Sequence, residues 1–385
     1  MMLKSLAVVA LLPAMAAWAQ PAPAAKPYLS FPRRALTAPE LRDAPDEWID
    51  RSFQWASDIL NEYAPDLIEH PVRRAALIRL DDVLHIESAP KKPLVQAFYR
   101  ARIERAVKDI ENTRVASGLR IWKLYNHGFL VRTPSVSVAF DIVPGTREPG
   151  LAVDRQVLER LADQADALFV SHLHGDHASP EVVQLFLDRR KPVIAPEGLW
   201  AGQEIASRLT FPKRSVTTVQ ALPIQNGRQT LKVVAYPGHQ GPSVTNNVHL
   251  VTTPEGFTVV QTGDQSGPEG PGSDFDWIAQ IGANHHVDVL LPNCWTTDIG
   301  RVARGVNPEL IITGHENEMA HTVDHREDYT QTYNHLHGSR YPFIVMAWGE
   351  TYHYGRLKKV SSDGSSPSPG AESSRHLPSR RPAVQ

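Results

Sequence analysis

The chain has 385 residues, of which 42% are hydrophobic and 21% are charged, so it can bury one large hydrophobic core. Its 40 Lys and Arg residues nearly balance its 42 Asp and Glu residues, and the formal net charge of -2 offers no basic field for a phosphate backbone. A general nuclease is therefore disfavoured, and the composition predicts no nucleic-acid partner.

An export signal is predicted over residues 1–19. Lys4 supplies a positive charge, residues 6–15 are apolar, and an Ala-Trp-Ala pattern at 17–19 predicts cleavage before Gln20. The apolar run is shorter than the roughly 20 residues that span a bilayer, although an uncleaved anchor is the alternative. The mature chain is predicted to be periplasmic or secreted, without a stable membrane span.

Two segments precede the main domain. Residues 20–45 are rich in Pro and Ala and are predicted to be a linker. Residues 46–117 are predicted to be a helical extension, because apolar residues from Trp48 to Leu60 recur three and four positions apart and Pro93 opens a second such stretch. The extension could cover the active site, form a dimer contact or buttress the sheet, and the oligomeric state is not determined by the sequence.

From Gly118 the hydrophobic period changes from helical to strand-like, and a catalytic domain is predicted over 118–356. Short β-prone runs come first, and later strands alternate with helical segments, which predicts packed sheets with helices outside. Ser179 and Pro180 are typical of an N-cap and first helical position. The strands are predicted at 119–125, 129–132, 136–142, 167–170, 231–236, 248–253, 257–262, 287–291, 310–313 and 343–348. Residues 357–385 are predicted to be a disordered tail.

The segment after the buried strand at 167–170 carries four ligand-type side chains in six residues. In an extended chain, the side chains of residues two positions apart point to the same side, so His172 and His174 can both direct their imidazoles to one metal ion. Gly175 lets the backbone turn sharply, which can direct Asp176 and His177 to a second position close by. Such a cluster at a strand end predicts a metal site.

Three later segments share a strand that ends in Gly and a ligand-type residue. They place His239, Asp264 and His315 just after Gly238, Gly263 and Gly314. A common sheet edge would bring these side chains beside the first cluster. Each pattern alone is a common turn, and their joint occurrence is what predicts convergence.

The order HxHxDH, GH, TGD and TGH resembles the metallo-β-lactamase superfamily over residues 118–356. The resemblance implies an α/β fold, a four-layer αββα sandwich, preceded here by the helical extension. It implies that His172, His174 and His239 bind one metal, that Asp176, His177 and His315 bind a second, and that Asp264 bridges both. The segments around Gly128 and Asp141 and at 346–350 resemble the branch that contains L-ascorbate-6-phosphate lactonase, from which the extension and the export signal depart.

Together with the export signal, these ligands predict an exported metallo-hydrolase that acts on a small-molecule ester, lactone, amide or phosphoester. Two divalent cations are expected, with zinc favoured and iron or manganese as alternatives. Such a pair lowers the pKa of a shared water, and Asp176 and Asp264 are the predicted catalytic residues that orient it. Alternatives are an iron-dependent redox enzyme on the same fold, a β-lactamase, which lacks a bridging carboxylate where Asp264 stands, and a binding protein with structural metals.

Further residues are candidates for supporting positions. Asp141 could hydrogen-bond a ligating histidine, and a loop with Asn126 and His127 could approach the metals. Four polar residues after His315 could line the pocket or donate a proton, namely Glu318, His321, Asp324 and His325. The single cysteine, Cys294, forms no intramolecular disulfide and is predicted to be a packed thiol, and Trp295 is either a substrate wall or core.

Overall fold

The computed structural model describes residues 44–146, 150–265, 274–296 and 298–356. The predicted export signal, most of the predicted linker and the predicted tail lie outside these ranges. Across the described ranges, no helix has both the length and the apolar character needed to cross a bilayer.

Three helices occupy the region of the predicted extension: α1 (Asp46–Glu62), α2 (Pro71–Leu84) and α3 (Pro93–Asn112). The apolar stripe of α1 is buried, and Phe53 stacks on Phe98 of α3 with ring centroids 4.4 Å apart. Later helices are α4 (Arg155–Gln164), α5 (Pro180–Asp188), α6 (Asp274–Asn284), α7 (Ile299–Val306) and α8 (Tyr329–Leu336), with short 3-10 helices at Ala89–Lys91, Glu204–Arg208, Gln225–Gly227 and Val323–His325.

The strands form two mixed sheets. Their bounds are β1 (Leu119–Lys123), β2 (Phe129–Arg132), β3 (Ser137–Phe140), β4 (Ala167–Phe169), β5 (Val193–Ile194), β6 (Gln220–Ile224), β7 (Gln229–Gln240), β8 (Val244–Thr252), β9 (Thr258–Gln261), β10 (Val289–Leu291), β11 (Leu310–Ile312), β12 (Phe343–Ile344) and β13 (Glu350–Tyr354). The first sheet has the order β13-β1-β2-β3-β4-β5, and the second has the order β12-β11-β10-β9-β8-β7-β6.

Three hydrophobic clusters define the layers. The middle cluster joins the facing sides of the two sheets, for example Phe140 and Phe169 with Val259 and Ile312. The other side of the first sheet packs against α1 to α5, and the other side of the second sheet packs against α6 and α7. The predicted αββα sandwich is confirmed. The extension shares one core with the first sheet, because apolar helix faces and strand faces must both be covered.

The end of the chain differs from the strand predicted over 343–348. The strand β12 ends at Ile344, and the chain turns at Gly349, where φ is 74°, into β13, which pairs antiparallel with β1. A Cβ atom on Gly349 would lie 2.3 Å from the carbonyl oxygen of Arg102, so the turn needs glycine for close contact with α3. The strand β13 has no alternating burial that a sequence pattern could reveal.

The sheet topology brings several strand ends to one edge. In the second sheet β9, β10, β11 and β12 run parallel, and in the first sheet β4 runs parallel to β3 and β5. The carboxyl ends of parallel strands lie at the same edge of a sheet, where side chains in the following loops meet.

Candidate metal centre

Two groups that consist entirely of predicted ligands lie at this edge, and within each group all ligand-type atoms lie within 4.8 Å of one another. One group consists of Asp176, His177, Asp264 and His315, and the other of His172, His174 and Asp264. The structure thus brings six of the seven sequence-predicted ligands together, and Asp264 belongs to both groups.

The seventh predicted ligand, His239, lies in neither group. The strand β7 runs through Gln240, beyond the predicted end at 236, and His239 is 17% exposed. Its Nδ1 donates to Asp274 Oδ2 at 3.0 Å, and the amide of the adjacent Gln240 donates to Asp264 Oδ2 at 3.1 Å. His239 is therefore on the same sheet edge, and its part in metal binding stays a prediction.

Glycines let these strand ends approach each other. Gly263 has φ of 53°, and a Cβ atom there would lie 2.3 Å from Asn246 Oδ1 and 2.4 Å from Ser171 Cβ. A Cβ atom on Gly314 would lie 2.5 Å from His127 Cδ2. Any larger residue would push Asp264 or His315 away from the first cluster.

Buried polar atoms in the cluster fit divalent cations. The Nε2 atoms of His172, His177 and His315 and the Oδ1 atom of Asp264 make no hydrogen bond to the described residues, although these side chains are buried. His177 Nε2 lies 3.2 Å from Asp176 Oδ2 and 3.1 Å from Asp264 Oδ1. Buried polar atoms are rarely left unpartnered, and imidazole with carboxylate is a donor set suited to zinc, iron or manganese.

The electrostatics of the cluster also favour positive charge. Burial alone would lower the pKa of His177 and of His315, but the carboxylates of Asp264 and Asp176 outweigh burial and raise both values well above the usual range. Burial would raise the pKa of Asp264, and the imidazoles of His177 and His315 instead hold it well below the usual range. A divalent cation would replace the protons that the histidines otherwise hold there.

Asp141 supports this cluster from behind. Its carboxylate accepts hydrogen bonds from His177 Nδ1 at 2.9 Å, Gln261 Nε2 at 2.6 Å and both the backbone N–H and the hydroxyl of Ser171 at 2.7 Å. The Ser171 oxygen lies 2.9 Å from His172 Nδ1 and can accept its proton. Both imidazoles therefore turn Nε2 toward the ligand groups. Asp141 was predicted from the sequence to support a ligating histidine, whereas Ser171 and Gln261 were not predicted.

The loop between β1 and β2 reaches the cluster. Asn126 Nδ2 donates to Asp176 Oδ2 at 3.0 Å. His127 packs edge-on against His177 with ring centroids 5.8 Å apart, and burial lowers the pKa of His127 to about 4. Asn126, Asp141 and His315 have positive φ values, a conformation that non-glycine residues hold only where surrounding contacts maintain it.

The other candidates divide between the cluster and the surface. Glu318 and His321 line a cleft beside Asp176, whereas His325 lies exposed. Trp295 packs edge-on against His315, with centroids 5.9 Å apart. Cys294 is buried, which raises the pKa of its thiol well above the usual range, in agreement with a packed cysteine.

A second cluster of ligand-type residues lies at the opposite ends of β10 and β11 and consists of His286, Asp288 and Glu309. Arg356 donates to both oxygens of Asp288 at 2.5 and 2.7 Å, and Tyr354 donates to it at 3.1 Å. These donors already neutralise and satisfy the carboxylate, so the cluster is a structural ion-pair network and offers a control for metal-binding experiments.

A scan against protein-family models and a search of curated proteins returned no match. Among solved structures, the chain is similar to Igni18, a metallo hydrolase from Ignicoccus hospitalis (15% identity, 63% of this chain and 100% of that chain, TM-score 0.47). It is also similar to an isothiocyanate hydrolase from Delia radicum gut bacteria (12% identity, 61% and 99%, TM-score 0.45) and to CmlA, a diiron β-hydroxylase from Streptomyces venezuelae (13% identity, 62% and 55%, TM-score 0.44). Because these identities are low, the evidence for the metal site is the geometry of this chain alone.

Proposed function

We propose that this protein is a metal-dependent hydrolase of the metallo-β-lactamase superfamily with a dinuclear metal centre. The observation that carries the proposal is the position of Asp264, whose carboxylate belongs to two ligand groups at one sheet edge. A single carboxylate between two sets of imidazoles suits a pair of cations that share it. Structural zinc sites, by contrast, are normally closed and mononuclear.

Zinc is the first candidate for this donor set, and iron and manganese are the alternatives. Imidazole and carboxylate ligands suit all three ions, so the protein's ligands alone do not select among them. The Nδ1 contacts of His172 and His177 with the Ser171–Asp141 pair would fix each ring in the tautomer that a metal ligand needs, with Nε2 unprotonated.

The chain's own residues would prepare the site for hydrolysis. Asn126 holds Asp176 Oδ2 and Gln240 holds Asp264 Oδ2, so both carboxylates have fixed orientations toward the cluster. Two bound cations would supply a water of lowered pKa and polarise the substrate oxygen. Asp176 and Asp264 would orient that water, and His174 and Asp176, which line the cleft, are ligands that a substrate would meet.

The test combines metal analysis with a substrate panel. Purified protein is loaded with zinc, iron or manganese and assayed against esters, lactones, amides, phosphodiesters and β-lactams. We expect about two metal ions per chain and hydrolysis of one class. Asp176→Ala and Asp264→Ala should lower kcat by at least about a hundredfold, whereas His286→Ala, in the control cluster, should leave metal content and kcat unchanged. Full activity of a metal-loaded Asp176→Ala protein would refute the proposal.

The same panel separates the competing functions. Activity only with iron, together with oxygen consumption and no hydrolysis, would identify the redox alternative. Cleavage of β-lactams would identify a β-lactamase, and preference for a phosphorylated lactone would support the lactonase-like branch. Stoichiometric metal without turnover of any class would leave a metal-stabilised binding protein.

We also propose export to the periplasm or the medium, on the basis of the charged, apolar and small-residue pattern of residues 1–19. Expression of the full chain in a bacterial host, followed by fractionation and mass spectrometry of the N-terminus, tests this proposal. A mature chain that begins at Gln20 is expected, and an intact N-terminus in the cytoplasmic fraction would contradict it.

A further inference from the structure

A cleft of about 700 Å³ opens beside the metal cluster, a volume within the usual range for small-molecule sites. It has a polar end at the predicted ligands and an apolar side that begins beside them. The residues that line the cleft include Leu173, His174, Asp176, Trp200, Glu318 and Ala320.

The apolar side begins within the metal-binding segment itself. Leu173 stands between two predicted ligands, His172 and His174, and 55% of its surface is exposed. Large aliphatic side chains are usually buried, and this one faces the cleft instead. An apolar substrate group that covers Leu173 would therefore lie next to the predicted metal ligands.

Trp200 continues this surface from another part of the chain. It is partly buried against the hydrophobic cluster between the first sheet and its helices, lines the cleft and has φ of 52°. A bulky residue in the left-handed region is an outlier, and such backbone persists only where its surroundings maintain it. The backbone thus holds an indole ring at the cleft wall.

The polar end of the cleft lies at the predicted metal ligands His174 and Asp176. Glu318 also borders the cleft, but its side chain is fully buried, and its Oε1 accepts hydrogen bonds from the Tyr125 hydroxyl at 2.9 Å and from the Ala320 N–H at 2.8 Å. A reacting group at this end would therefore meet the metal ligands, while a hydrocarbon chain attached to it would extend along Leu173 and Trp200.

We propose that the cleft binds acyl compounds whose hydrocarbon chain covers Leu173 and Trp200. The proposal rests on the proposed function, because the cations would place the reacting carbonyl beside Asp176. It narrows the substrate class to esters, lactones or amides with an apolar acyl group.

Binding of alkyl hydroxamates to the zinc-loaded protein tests the apolar wall without any turnover. Hydroxamates bind zinc through two oxygens, and their alkyl chain can be lengthened step by step. Titration calorimetry from acetohydroxamate to octanohydroxamate should show tighter binding with each added methylene, up to about fourfold per fully buried methylene. A series with constant affinity would overturn the proposal.

Variants then assign the effect to the two residues. Leu173→Ala and Trp200→Ala should each flatten the chain-length dependence, and Trp200→Phe should keep most of it. The matched controls are Ile68→Ala and Phe211→Ala, which shorten exposed apolar side chains that are not part of the cleft lining and should leave the series unchanged. Because Leu173 is exposed, its variant is expected to fold even if Trp200→Ala does not.

The two proposals fail in different ways. If acetohydroxamate binds and longer chains bind no more tightly, the acyl subsite is wrong and the metal centre stands. If no hydroxamate binds to protein treated with zinc, the metal centre fails, and the acyl proposal falls with it.

Discussion

His177 Nδ1 donates a hydrogen bond to Asp141 Oδ2 at 2.9 Å, and this contact directs the opposite nitrogen, Nε2, toward Asp176 and Asp264. The same Asp141 oxygen accepts the Ser171 hydroxyl, which lies 2.9 Å from His172 Nδ1. One buried carboxylate thus orients two imidazoles, one from each ligand group. Because the ring positions depend on Asp141, the affinity for metal should depend on it as well.

Asp141→Asn should weaken zinc binding by roughly ten- to hundredfold, because the amide places a donor where His177, Ser171 and Gln261 all donate. Competition with a chromophoric zinc chelator measures the affinity. Asp166→Asn is the matched control, since Asp166 accepts the backbone N–H of Ser137 at 2.8 Å outside the ligand groups. Equal zinc affinities of Asp141→Asn and wild type would contradict the prediction.

Zinc should stabilise the folded protein, because the unfolded chain cannot assemble ligands from separate segments. At free zinc about a hundredfold above Kd, linkage gives ~2.7 kcal/mol. With an unfolding entropy of about 2.1 cal/mol/K per residue, this corresponds to a rise in Tm of about 4 °C for roughly 300 folded residues. Asp264→Ala, which removes the shared ligand, should lose most of this rise in differential scanning fluorimetry. His286→Ala should keep it, and a zinc-independent Tm in wild type would argue against the centre.

Stability should fall in mild acid because of His249, which is fully buried and whose Nε2 donates to the Val170 carbonyl at 3.2 Å. Burial lowers its pKa to about 4, whereas an unfolded histidine titrates near 6.5. Between these values the unfolded state binds more protons, so this stability is complete above pH 6.5 and is lost as the pH falls toward 4. The effect is on the order of 3 kcal/mol.

His249→Gln retains a donor for Val170 and removes the titration. Urea unfolding between pH 4.5 and 7 gives the free energy of unfolding as a function of pH. The slope of this free energy against pH should be smaller in the variant than in wild type by an amount equivalent to about one bound proton. The exposed His353 serves as the control, and His353→Gln should leave the slope unchanged. An identical slope in His249→Gln and wild type would show that the buried histidine does not resist protonation.

The extension should support the segment that carries His315. Asp81 of α2 accepts hydrogen bonds from Asn317 Nδ2 at 3.2 Å, Tyr329 N at 2.9 Å and Thr330 N at 3.1 Å. Asp81→Asn puts a donor against these donors and should lower the free energy of unfolding by about 2 kcal/mol. Because Asn317 follows His315 closely, zinc affinity should fall several-fold as well.

The neighbouring Asp82 provides a matched control for this experiment. It is 39% exposed and pairs with Arg79, so Asp82→Asn should change the free energy of unfolding by less than about 0.5 kcal/mol. Chemical denaturation and chelator competition measure the two effects. Unchanged zinc affinity in Asp81→Asn would limit the extension to a stabilising function.

Features that depend on neighbouring residues were predictable from the sequence. Ser179 is the N-cap of α5, and its hydroxyl accepts the N–H of Val182, as the Ser-Pro pair predicts. Most strands of both sheets also lie where hydrophobic patterns place them. The helical extension follows from the spacing of its apolar residues. Each of these depends on backbone geometry over a few residues, which the local sequence controls.

Contacts between distant segments were not predictable in the same way. Gln261 donates to Asp141 across 120 positions, and Asp274 accepts from His239 across 35. The strand β13 carries no periodic signal. Polar residues at strand ends have many candidate partners in the sequence, and only the packing of the two sheets selects one.

The sequence by itself determined the residue types, the order of the four ligand segments and their positions near strand ends, because turns and strands are local structures. The tertiary structure decided which side chains meet. It placed Asp264 in both ligand groups and His239 outside them, and it positioned Leu173 and Trp200 on one cleft wall. These distances depend on how two sheets pack across a shared core, and no spacing along the chain encodes them.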